Sequence, residues 1–164
     1  MKIIHVIFGT RPELIKLLPV IIELKRKKNI KTIIINTNQH DQLLDKSLIK
    51  IVKPINLKIK KNKLLDKIFI EIISNLNLKI KKSNGIIVQG DTASTLGGSI
   101  VGFLKKIKVF HVEAGLRTYN RQQPYPEEFN RVLTSHISDL HFAPTKLNKN
   151  NLIKENIRKN NIIV

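Results

Sequence analysis

Cysteine is absent from the 164 residues, which excludes disulfide staples and thiolate metal sites and fits a cytoplasmic location. No apolar run approaches the roughly 20 residues of a membrane-spanning helix. The apolar stretch at residues 3–8 is too short for the core of a signal peptide, and no small-residue cleavage site follows it. Aromatic residues make up only 5% of the chain, too few for the stacking platforms that hold single-stranded nucleic acid. Acidic residues are also scarce, 12 Asp plus Glu against 30 Lys plus Arg, giving a net charge of +18. Such an excess can signal nucleic acid. Here it is mostly lysine, dispersed along the chain and accompanied by many Ile and Asn, a composition that an AT-rich coding sequence produces on solvated faces. Neither nucleic acid nor a membrane is therefore an expected partner, although some lysines could line a cleft that attracts an anion. Internal repeats and low-complexity linkers are missing too. One domain is expected, and 41% hydrophobic residues suffice for its core.

What is present alternates between strand-like and helix-like segments, the pattern of βαβ units around a parallel sheet. Residues 3–8 are short, apolar and β-branched, as in a strand buried on both faces. Residues 12–28 carry Leu14, Leu17, Leu18, Ile21, Ile22 and Leu24 at helical spacing. Strands are further expected at 32–36, 85–89, 108–113, 140–143 and 161–164, and helices at 41–52, 64–80, 94–106, 127–138 and 145–156. The basic stretch 54–62 reads as a surface loop and 81–84 as a turn. The fold class is α/β, a Rossmann-like parallel sheet flanked by helices.

The first strand-to-helix turn, Phe8-Gly9-Thr10-Arg11-Pro12-Glu13, has the spacing of a capping box, with Pro12 in the first turn. Its first-turn N–H groups, the helix dipole and Arg11, with Lys16 nearby, could hold an anion; a well-capped helix with a solvated arginine is the plainer reading. In open α/β sheets ligands bind beyond the carboxyl ends of strands, so the residues that follow each strand are the site candidates. These are Asn38, Gln39 and His40; Gly90, Asp91 and Thr92; Glu113; and Glu127 with Glu128 at a helix start. Three carboxylates, Asp91, Glu113 and Glu127, converging opposite Arg11 would suit acid-base chemistry on a bound anion, because like charges push carboxyl pKa values apart. Each also has a plainer role: Asp91 as a helix cap, Glu113 as a partner for Arg117, Glu127 and Glu128 as complements to the helix dipole. His111 and His136 read as packing or polar-face residues.

Six stretches carry a resemblance: FGTRPELIK at 8–16, NQH at 38–40, QGDT at 89–92, HVEAGLRT at 111–118, PEEFNR at 126–131 and HFAPT at 141–145. In order and approximate spacing the chain resembles the non-hydrolysing UDP-N-acetylglucosamine 2-epimerases. The resemblance implies one half of a two-domain fold of the glycosyltransferase-B type, with residues 1–164 forming the N-terminal Rossmann-like domain. The C-terminal nucleotide-binding domain, which holds the family's catalytic histidine and most uridine contacts, is absent from this chain. The implied reaction interconverts UDP-N-acetylglucosamine and UDP-N-acetylmannosamine, removing the C2 proton as UDP leaves C1 and re-adding UDP after reprotonation on the other face. It would supply N-acetylmannosamine units for surface polysaccharide. By position, Asp91, Glu113 and Glu127 would be the catalytic carboxylates, and Arg11 and Lys16 would hold the phosphates. Gln39, His40 and Gln42 match positions that hold a second, regulatory UDP-N-acetylglucosamine in some members. The regulatory-site arginine of the next helix corresponds to Glu71, so substrate activation is not carried over. The family implies no cofactor and no metal, a homodimer, and a separate C-terminal half as a candidate partner. Two alternatives remain open: a UDP-sugar-dependent glycosyltransferase-like protein, which would transfer sugar without exchange at C2, and an inactive nucleotide-sugar-binding fragment.

Overall fold

The β-branched run that follows Met1 becomes β1 (Lys2–Phe8), a central strand whose residues from Ile4 onward are buried. The computed structural model describes residues 1–39, 46–60 and 64–164. After β1 come α1 (Arg11–Arg26), β2 (Ile30–Asn36), α2 (Lys46–Val52), β3 (Ile55–Asn56), α3 (Leu65–Lys79), β4 (Gly85–Gln89) and α4 (Ala93–Leu104). The chain continues through β5 (Val109–Val112), α5 (Glu127–Ile137), β6 (Leu140–Phe142), α6 (Lys146–Lys154) and, after one short 3-10 turn, β7 (Ile162–Ile163). The strands lie in the order β3-β2-β1-β4-β5-β6-β7, and every pair is parallel.

Alternation along β1 divides the core in two. Ile4, Val6 and Phe8 pack with Leu14, Leu17 and Ile21 of α1 and Val52 of α2. Ile7 points the other way, into a cluster with Ile35, Ile86, Val88, Ile72 and Leu76 of α3, and Val101 of α4. Each fully buried Ile or Leu is worth ~1.5–3 kcal/mol relative to exposure, so these two layers are the main stabilising term. The helix α4 approaches the sheet closely at Gly98 and α3 closely at Gly97. A Cβ on Gly98 would lie 2.9 Å from Ile7 Cδ1 and 3.0 Å from Val88 Cγ1, and one on Gly97 would lie 2.7 Å from Ile72 Cγ2.

The structure corrects the reading of 54–62 as a surface loop. Ile55 and Asn56 form an edge strand in register with Ile35 and Asn36 of β2, and Leu57, whose N–H donates to Asn36 O, is buried. The sheet therefore has seven strands rather than six. The expected helix at 41–52 begins, among the described residues, at Lys46; residues 41–45 lie outside them. No described helix is long and apolar enough to cross a membrane.

Candidate active site

Between β1 and β4 the strand order reverses: the chain leaves β1 toward β2 on one side and leaves β4 toward β5 on the other. Such a switch point opens a crevice at the carboxyl ends of the two strands. The pocket found there is lined by Thr10, Glu13 and Lys16 after β1, by Gln89 through Thr92 after β4, by Glu113 after β5, and by Arg131 of α5.

At the first wall, Thr10 caps α1 and Glu13 completes the capping box. Glu13 Oε2 accepts the N–H groups of Gly9 at 2.9 Å and Thr10 at 2.8 Å, while the Glu13 N–H donates to Thr10 Oγ1. These bonds take up the N–H groups of Gly9 and Thr10, which precede the helix, and the first-turn N–H of Glu13 is capped by Thr10. Burial pushes the Glu13 carboxyl above its ordinary range, against the opposing effect of its hydrogen bonds from Gly9, Thr92, Thr10 and Thr95. Arg11 is exposed on α1 and is not among the pocket-lining residues. Lys16, in contrast, reaches Glu113, with Nζ 2.9 and 2.7 Å from its two carboxylate oxygens.

The second wall follows β4. Thr92 caps α4, accepting the Thr95 N–H, so Asp91 is released from the capping role the sequence allowed it. Asp91 Oδ2 instead accepts from Arg131 Nε at 2.9 Å and lies 2.7 Å from Arg131 Nη2, and Asn130 Nδ2 donates to the Asp91 carbonyl. Arg131 also donates to Glu128 at 3.1 Å. Glu128 is 1% exposed and accepts the N–H groups of Thr118 and Tyr119, which pins the loop after β5 to α5. Burial raises the Glu128 carboxyl, but these N–H donors and the Arg131 guanidinium outweigh it and leave the group below its ordinary range.

Glu113 stands just beyond β5 with φ at +65°, a left-handed conformation that costs a residue with a Cβ of order 1–3 kcal/mol. Its carboxylate accepts from Lys16 and from Gln89 Nε2. The alternative partner, Arg117, is committed elsewhere: its Nε and Nη2 donate to Glu155 at 2.6 Å each. A strained backbone that aims a carboxylate into a pocket is where function concentrates.

Of the three carboxylates expected to converge, Asp91 and Glu113 line the pocket. Glu127 sits half-buried at the start of α5, outside that lining. Gln39 points at the start of α4, its Oε1 accepting Ser94 N–H at 3.1 Å and Ser94 Oγ–H at 2.8 Å. His40 and Gln42 lie outside the described residues. His111 is buried, with Nε2 bonded to the Gly90 carbonyl, and His136 is exposed on α5, the packing and polar-face roles expected of them. The sequence reading missed Gln89, Arg131 and the long reach of Glu13. Arg131 had a local signal, the three-residue spacing from Glu128 on one helix face. The other two act through partners distant in sequence.

Comparison with known proteins identifies the family and the fold. The family model described as UDP-N-acetylglucosamine 2-epimerase matches residues 22–164. A UDP-N-acetylglucosamine 2-epimerase of Neisseria meningitidis is 46% identical over 169 aligned residues, covering all of this chain and 45% of the relative. The crystal structure of a Neisseria meningitidis UDP-GlcNAc 2-epimerase bound to UDP-GlcNAc superimposes with a TM-score of 0.92 at 44% identity, covering all of this chain and 45% of that one. A lipopolysaccharide outer core galactosyltransferase, at 15% identity and a TM-score of 0.66, shares the fold alone. The chain thus spans about half the length of the relatives it matches. It belongs to the UDP-N-acetylglucosamine 2-epimerase family.

Proposed function

We propose that this chain forms one wall of the nucleotide-sugar cleft of a UDP-N-acetylglucosamine 2-epimerase, completed by the part of the relatives' length that lies outside the match, on the same polypeptide or on a separate one. The observation that carries the reading is the pocket at the β1/β4 switch point, where Asp91 on Arg131 and Glu113 on Lys16 supply two differently partnered carboxylates to one cavity. Two carboxyl groups that differ in environment are what removal and return of a proton on opposite faces of C2 require. As one takes the C2 proton, the C1–O bond to UDP breaks; a proton then returns to C2 from the other side and UDP re-forms its bond to C1. No oxidation or reduction is involved, so no redox cofactor is needed.

UDP leaves as a multiply charged anion, and cations stabilise its departure. Lys16 is half-exposed and held by Glu113, so an arriving diphosphate competes for its ammonium and leaves Glu113 free to take a proton. Arg11, exposed at the mouth of the same helix, turns toward the phosphates, and Glu127 joins the carboxylates when the cleft closes. Closure also keeps water from separating the glycal intermediate and UDP. The whole enzyme is proposed to pair as a homodimer, and sedimentation of the assembled protein tests that separately.

The test is exchange of the C2 proton with deuterated water, followed by NMR on UDP-N-acetylglucosamine, with this chain joined to a matching C-terminal half. Exchange is expected, and Glu113→Gln should slow it by about 10²-fold or more. Absence of exchange in a folded assembly that binds the UDP-sugar overturns the epimerase reading, and sugar transfer without exchange favours a glycosyltransferase.

A further inference from the structure

Glu13 is 3% exposed, yet among the described residues its carboxylate touches only N–H and O–H groups. Oε2 accepts from Gly9 N, Thr10 N and, at 2.9 Å, Thr10 Oγ1. Oε1 faces the other turn: Thr92 Oγ1 donates to it at 2.8 Å across 79 residues of sequence. Thr95 Oγ1 is also within reach at 3.1 Å, sharing its single proton with the Gln89 carbonyl at 2.6 Å. A capping box by itself needs only the Oε2 bonds. The Oε1 bonds serve a different element.

The two turns are also pressed together at Gly9, where a Cβ would stand 2.5 Å from Thr37 Oγ1 and collide with Ser94 at the start of α4. Thr92 is the cap of α4 and directly follows Asp91, and Arg131 and Asn130 hold Asp91 from α5. Asp91 is thereby fixed from both sides, by α5 and, through Thr92, by α1.

We infer that Glu13 is a positioning residue: one carboxylate ties the β1–α1 turn, which leads to Arg11 and Lys16, to the β4–α4 turn, which carries Asp91, and so sets the spacing across the pocket. The catalytic consequence rests on the epimerase reading; the tie itself does not. Without the carboxylate, Gly9 keeps a buried N–H and Thr10 a part-buried one with no acceptor, and Thr92 loses its anchor.

Two measurements on Glu13→Ala and Glu13→Gln separate these levels. In the chain as it stands, hydrogen exchange at Gly90, Asp91 and Thr92 is expected to quicken about tenfold or more in Glu13→Ala while the amides of β1 and α6 keep wild-type rates. In the assembled enzyme, kcat for C2 exchange is expected to fall about 10²-fold with KM within about threefold, since misplacement near 1 Å costs that much. Glu13→Gln, which keeps an oxygen for the Gly9 and Thr10 N–H groups and an amide that can donate to the threonine hydroxyls, should recover most of both. Unchanged exchange at residues 90–92, or acceleration spread evenly over the whole chain, overturns the tie. A tie that breaks while kcat holds, or a loss confined to KM, overturns the positioning role. If the wild-type assembly exchanges no C2 proton, the epimerase reading fails and the tie is judged on hydrogen exchange alone.

Discussion

His111 is held in a medium far from water. It is 1% exposed, its Nε2–H donates to the Gly90 carbonyl at 2.8 Å, and its Nδ1 has no partner among the described residues. Burial drives its pKa from 6.5 to about 3, the Gly90 bond opposing and His141 and Arg117 adding to the shift. Between those values the unfolded chain binds a proton that the folded chain refuses, so stability is complete above pH 6.5 and drains away as pH falls toward 3. His111→Gln keeps an N–H for Gly90 but cannot titrate. The stability lost between pH 7 and pH 5 in urea melts should be smaller by about 2 kcal/mol in the variant; an equal loss in both proteins would show that another group carries the acid sensitivity. At Glu113 the backbone opposes stability in favour of placement. Glu113→Gly removes the left-handed strain together with a half-exposed ion pair with Lys16, worth about 0–1 kcal/mol, and the bond from the buried Gln89 Nε2, worth about 1.5–3 kcal/mol to a charged acceptor. Its melting temperature should stay close to wild type, the relief of strain offsetting the lost bonds, while C2 exchange in the assembled enzyme is lost.

Packing of α4 on the sheet shows how one element depends on small residues. The Gly98 Cβ position lies 2.9 Å from Ile7 Cδ1, so Gly98→Ala sets a gain in helix propensity of about 1 kcal/mol against overpacking of about 1–3 kcal/mol. The variant should be less stable than wild type, and Ile7→Val, which deletes the methyl in the way, should offset part of that loss. Denaturant midpoints of the two single variants and the double test this; strict additivity would place the clash elsewhere. Elements with strong local signals were legible in the sequence for the same reason they are stable. The β-branched run of β1, the Thr10–Glu13 box of α1 and the Thr145 cap of α6 each carry their own instructions. The edge strand β3 does not. It is two residues long, flanked by Pro54 and Leu57, and exists because β2 offers it a ladder and Leu57 takes a core position. The site divides likewise: Asp91 and Glu113 follow strand ends and were found by that rule, while the choice of Lys16 over Arg117 for Glu113 is made across 97 residues.

At the scale of the molecule, charge and apolar surface act against each other. On the α1 side of the sheet, Val20 and Leu24 of α1 face Ile87, Phe110, Val112, Leu140 and Phe142 across an apolar groove, and no other described helix lines it. Phe142 and Ile163, in the last two strands, are 37% and 48% exposed. Contiguous apolar surface of this kind binds apolar dyes and associates when nothing opposes contact. Here a net charge of +18 opposes it, because like-charged copies repel over roughly 10 Å at 0.1 M salt and only about 3 Å at 1 M. The chain should therefore bind an anilinonaphthalene dye at neutral pH, and light scattering should report association that grows with salt. Phe142→Lys puts charge in the groove at a partly exposed position, so it should lower both signals with little change in melting temperature. Association that weakens with added salt would mean that charge attraction, and not the uncovered sheet face, brings copies of the chain together.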